Sequence, residues 1–144
     1  MFIKEQWIKP VNLHMISFIF SFKPWLRKTI AFIYLAIVAV LSLMPSYDVP
    51  DIKLFPGADK LVHISMYLGL SFLACWSYDI RRHRMWFMYI LLASVFMYGV
   101  IMEILQRTMH NGRDFDFKDM IANLTGAILG MLIYRFLDRQ RSEA

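Results

Sequence analysis

Charge is scarce in this chain of 144 residues, with Asp, Glu, Lys and Arg at 19% against about 25% in soluble domains. Apolar residues fill the gap at 58%, above the usual share of about 45–50%. That excess rules against a soluble globule, because a chain this short has room for one domain and no oversized core. A lone cysteine, Cys75, excludes an internal disulfide, and its apolar surroundings in the sequence suggest packing. No repeat or low-complexity segment is visible. Neither an HxxxH nor an HExxH pattern is present, so helix-borne metal motifs are absent.

The missing charge is missing locally. Four stretches, residues 29–44, 61–78, 85–102 and 120–134, are nearly free of it. A bilayer core of about 30 Å takes roughly 20 helical residues, so each run must borrow a turn from its polar flanks. For the last run this means taking in Asp119 at one end and Phe136 and Leu137 at the other, with Arg135 snorkelling outward. The expected fold is an all-α membrane protein with four transmembrane helices in a bundle.

The net charge of +5 would fit nucleic acid only if the bases formed one surface, and they do not. Eleven bases fall before the first run, between the second and third, and after the fourth; the other two connections hold five. By the positive-inside rule both termini are then cytoplasmic. The acids run the other way, four inside and seven outside. No nucleic-acid partner is expected.

Residues 11–22 are apolar but too short to span, and basic flanks with no small-residue cleavage site argue against a secretory signal. An N-terminal interfacial amphipathic helix is expected, with Trp7, Phe18, Phe20, Phe22 and Trp25 at headgroup level. Met15 is an alternative start. The chain divides into an interfacial segment (1–24), a four-helix domain (25–137) and a basic tail (138–144).

Placed on this topology, the polar residues gather at the outer end of the bundle. Helix starts bring Asp59, Lys60 and His63, and Asp116, Asp119 and Asn123, with Arg113 and Asp114 just before; a helix end brings Glu103 and Gln106. Residues three or four apart share a helix face. Asp59 and Lys60 can thus both reach His63, and Gly99, Glu103, Gln106 and His110 form one stripe. Asp116, Asp119, Asn123, Gly126 and Gly130 form a seam, with the two glycines expected to admit a neighbouring helix. Asp59, Asp116 and Asp119 can cap helix starts. Glu103 near a helix C-terminus cannot cap, and Lys60 or Arg113 is its expected partner.

The blocks LSLMP (41–45), DKLVHISMYLGL (59–70), GVIMEILQ (99–106) and GRDFDFKDMIANLTGAILG (112–130), in that order, resemble the VanZ-like membrane proteins of bacterial envelopes. The resemblance covers roughly residues 25–137. It implies that Asp59, Lys60, His63, Glu103, Gln106, Arg113, Asp116, Asp119 and Asn123 are functional positions, and that the chain could contribute to resistance to glycopeptides of the teicoplanin type. It implies no reaction.

An outer polar cleft binding a lipid-linked cell-wall precursor or lipoglycopeptide headgroup is the leading expectation, in the inner membrane of a bacterium and without catalysis. Two helix N-termini with Lys60, His63 and Arg113 would receive a phosphate, while Asn123, Gln106 and the carboxylates take hydroxyls or amides. Because outer acids outnumber outer bases, the carboxylates should pair with Lys60 and Arg113 when the cleft is empty. A hydrolase or transferase acting on a lipid-linked phosphate is the alternative; no Ser or Cys nucleophile lies at the matched positions, so water would attack. A structural or partner-binding subunit is the third reading. Asp59, His63, Glu103, Asp116 and Asp119 could ligate a divalent ion, but Lys60 and Arg113 oppose it; neither a metal nor another cofactor is assigned. The sequence does not fix the oligomeric state.

Overall fold

A computed structural model describes residues 13–44, 57–79, 85–109 and 116–142. Five helices make up these residues: α1 (Leu13–Ser21), α2 (Pro24–Leu43), α3 (Ala58–Tyr78), α4 (Met85–Thr108) and α5 (Phe117–Ser142). The last four are long and apolar enough to cross a membrane. Each extends its apolar run into polar flanks, as span length requires. Most of each apolar stretch faces outward, with Phe32 72% and Val40 66% exposed. Such outward faces suit lipid and not water.

Local chemistry sets the helix ends. Pro24 opens α2, where its fixed φ and missing N–H cost nothing, and α2 stops in extended backbone at Met44, before Pro45. Gly57, at φ 87°, is the N-cap of α3. Asp59, expected as a cap, instead lies inside the first turn, where its charge complements the helix dipole. Asp116 does cap α5: its Oδ1 accepts the Lys118 backbone N–H at 2.8 Å.

Successive helices run up and down, which leaves α3 parallel to α5. Their interface is the most extensive in the bundle. At Gly126 an added Cβ would strike the Ile64 carbonyl, and at Gly130 the Leu68 carbonyl and the Phe72 nitrogen. The seam expected from spacing is therefore a backbone-to-backbone approach. Elsewhere polar side chains tie helices to one another's carbonyls. Tyr34 donates to Met66 at 3.3 Å, Tyr98 to Leu35 at 2.9 Å, and buried Arg27 to Trp76 at 3.1 Å.

The nine-residue α1 docks where α3 and α5 end. Trp76 Nε1 donates to the Ile19 carbonyl at 3.1 Å, and Phe20 is buried against Cys75, Trp76, Met131 and Tyr134. Arg141 stacks over Phe20 at 4.6 Å. Phe18 and Trp25 remain exposed, so Phe20 alone of these three turns inward; Trp7 lies outside the described residues. Cys75 is buried as expected, one turn from the end of α3.

Gly130→Ala is expected to cost about 1–3 kcal/mol of bundle stability, because backbone cannot yield as a rotamer can. Leu132→Ala on the exposed face should change it by less than about 0.5 kcal/mol. Thermal unfolding in one detergent checks both.

Candidate functional site

One end of the bundle collects the starts of α3 and α5 and the last turns of α2 and α4. Because α3 and α5 are parallel, Lys60 and His63 of α3 stand level with Asp116, Asp119 and Asn123 of α5. Lys60 Nζ binds Asp59 Oδ2 and Asp116 Oδ2, each at 2.7 Å, and is also ion-paired to Asp119 Oδ1. Two of the three ammonium hydrogens go to Asp59 and Asp116, while Asp119 Oδ1 is held by charge at ion-pair distance without a hydrogen bond. The Lys60 ammonium and the Lys118 backbone N–H hold the Asp116 carboxyl below the usual carboxylate range.

Deeper in, His63 Nδ1 lies 2.9 Å from Asn123 Oδ1. The same ring faces Glu103 Oε1 at 3.8 Å from Nδ1 and Asp119 Oδ2 at 3.9 Å from Nε2. Glu103 and Asn123 are each 1% exposed. Glu103 Oε2 has no hydrogen-bond partner among the described residues. The carboxylate expected to pair with Lys60 or Arg113 thus faces His63. The cause is rotational: Lys60 and His63 lie three residues apart on one face of α3, and the lysine's long chain reaches outward to α5.

Asp59 likewise turns to Lys60 and not to His63. Gln106 leaves the cluster, since its Nε2 donates to the Ser42 carbonyl at 2.6 Å in a buried bond that ties α4 to α2. Arg113, Asp114 and His110 lie outside the described residues. The structure therefore brings together Asp59, Lys60, His63, Glu103, Asp116, Asp119 and Asn123.

Tyr67 was not anticipated. It is 0% exposed, its ring packs on Gly99, and its hydroxyl has no hydrogen-bond partner among the described residues. It forms the floor of the site one turn below His63, and the spacing 63 to 67 on one helix face was the available signal. Within the cluster four carboxylates face one lysine and one histidine. His63, Glu103 and Asp119 each offer a ligand atom, all within 4.8 Å of one another.

Apolar helices that span a membrane and gather ionisable side chains at one shared end define a multi-pass membrane protein with a polar terminus. The VanZ/LLP1 family model matches residues 2–138, and the chain belongs to that family. The match takes in the N-terminal segment that the four motif blocks leave out. An uncharacterized protein of Schizosaccharomyces pombe, C11E3.10, is 32% identical over 119 residues, covering 81% of this chain and 68% of that protein. No solved structure matches significantly.

Two outcomes follow. Gln106→Ala should lower stability by about 1–3 kcal/mol, the cost of a buried carbonyl left unmatched, while the tryptophan spectrum of the folded protein stays the same. Asp116→Asn should lower the melting temperature at pH 7. A depressed folded-state pKa contributes stability above the unfolded value of about 3.9 and loses it as pH falls through the folded value. The gap between wild type and Asp116→Asn should therefore close in acid below about pH 4 in a series of melts.

Proposed function

We propose that the protein binds the polar headgroup of a membrane lipid in the cluster formed by Asp59, Lys60, His63, Glu103, Asp116, Asp119 and Asn123. The observation that carries this reading is Glu103: a carboxylate 1% exposed, facing the cluster, with one oxygen left without a hydrogen bond. Ionisable groups at membrane depth are costly and mark ligand pathways. A purely structural ion pair would have satisfied both carboxylate oxygens. The parallel starts of α3 and α5 add two positive helix ends at the same level, which favours a phosphate-bearing headgroup.

The distribution of bases supports a cluster on the extracytoplasmic side, with both termini cytoplasmic and α1 at the inner interface. In a bacterial host the site would then face the outer leaflet of the inner membrane. A lipid-linked cell-wall precursor or a lipoglycopeptide of the teicoplanin type is the ligand there, and sequestering it would contribute to resistance. On this proposal the protein is a binder; a hydrolase acting here would have to use water, since among the described residues of the cluster there is no Ser or Cys.

Native mass spectrometry of gently solubilised wild type and Asp119→Ala tests the proposal. A specific phosphate-bearing lipid should stay on wild type and be lost from the variant. Identical spectra showing only bulk phospholipid would overturn it and favour a helix-locking or partner-binding role.

A further inference from the structure

We infer that His63, Glu103 and Asp119 form a divalent-cation site at the floor of the cluster, and that the cation, not Lys60, receives the headgroup phosphate. This deepens the headgroup reading and rests on it for the ligand, though not for the metal.

Three observations converge. An amide oxygen only accepts, so His63 Nδ1 donates to Asn123 Oδ1 across 2.9 Å. In neutral His63 the lone pair then lies on Nε2, which faces Asp119 Oδ2 at 3.9 Å. Two acceptors facing each other across such a gap share no proton and invite a cation. Glu103 supplies the third acceptor beside the same ring, with Oε1 3.8 Å from Nδ1; it is 1% exposed, and its Oε2 has no hydrogen-bond partner among the described residues. Lys60 does not fill the gap, because its ammonium is taken by Asp59, Asp116 and the other oxygen of Asp119.

The objection drawn from the sequence, that Lys60 would repel a metal, weakens with that geometry. Lys60 offsets part of the charge on Asp59 and Asp116 and engages one oxygen of Asp119, which leaves Asp119 Oδ2 and Glu103 for a divalent ion. One imidazole nitrogen and two carboxylate oxygens suit Zn²⁺ or Mn²⁺. Three donors held about 2.1 Å from one metal lie roughly 3.0–3.4 Å apart, so ligand atoms within 4.8 Å of one another must draw together by side-chain movement. Asn123 takes the supporting role, fixing the imidazole orientation through its far nitrogen. Three protein ligands leave positions open for phosphate oxygen. That reconciles an acidic cluster with an anionic ligand.

The test uses the full chain in mild detergent, stripped with EDTA and returned to chelator-free buffer. Mn²⁺ is titrated and followed by the paramagnetic resonance of the free ion, and Zn²⁺ by calorimetry. One ion should bind per chain, with a histidine nitrogen coupled to bound Mn²⁺ in pulsed spectra. His63→Gln should abolish that coupling. His63→Gln and Glu103→Gln should each weaken binding roughly tenfold or more, Asn123→Ala about 10–100-fold, and Thr125→Ala on the exposed face not at all. Thermal melts report folding, and should every variant misfold, the nitrogen coupling in wild type decides alone. Absence of saturable binding to wild type, or binding without nitrogen coupling, overturns the site. Lipid retained after EDTA with no metal bound would sink the cation and keep the headgroup reading; metal bound in a chain that holds no specific lipid would do the reverse.

Discussion

Where Gly126 and Gly130 bring α5 against the carbonyls of Ile64 and Leu68, two helices running the same way are held closer than side chains would allow. Their N-terminal ends therefore stand side by side, and two positive dipole ends in one place call for negative charge. Asp59, Asp116 and Asp119 supply it within the first turn or at the cap. Three carboxylates so close would repel one another, and Lys60 is the shared counter-ion that lets them coexist. The glycine contact and the ionic cluster are thus one structural problem solved at two depths.

Lipid offers helices little hydrophobic reason to associate, so other contacts must set their arrangement. Here they follow one pattern, in which a long polar side chain on one helix donates to a backbone carbonyl on another. Tyr34, Tyr98, Gln106, Arg27 and Trp76 all do this, reaching α3, α2, α2, α3 and α1 in turn. In a medium without water a carbonyl that accepts such a bond gains a partner at little cost. The pattern also explains why Gln106, one turn from Glu103, serves packing: its amide reaches α2 and no longer points at α3 or α5.

Features governed by periodicity were legible in the sequence. Four apolar runs became four long helices, and the 116–119–123–126–130 spacing marked the face that α5 turns to α3. Features governed by a backbone acceptor were not, since the carbonyls of Ser42, Met66 or Ile19 carry no side-chain signature. Rotation within a turn was equally hidden. Lys60 and His63 share a face, and spacing could not say that the longer side chain would reach the exposed carboxylates while the ring met Glu103. Phe20 differs from Phe18 by two positions in a short helix, yet one is buried and the other exposed; only the docking of α1 on Trp76 decides which.

Glu103 is the residue that a purely structural account leaves unexplained. It is buried in a helix lined by lipid, where an unpaired carboxylate is costly, and it is too far from a helix start to act as a cap. Had stability been the only requirement, Lys60 turned inward could have neutralised it, or a leucine could have replaced it in apolar packing. Instead Lys60 is held by Asp59, Asp116 and Asp119, and the polar groups around Glu103 are His63, the Asn123 amide that orients it, and the Tyr67 hydroxyl, which has no hydrogen-bond partner among the described residues. Such a set leaves a buried carboxyl group without a full complement of partners. In lipid such a group calls for compensation, which the proposed headgroup or cation would supply.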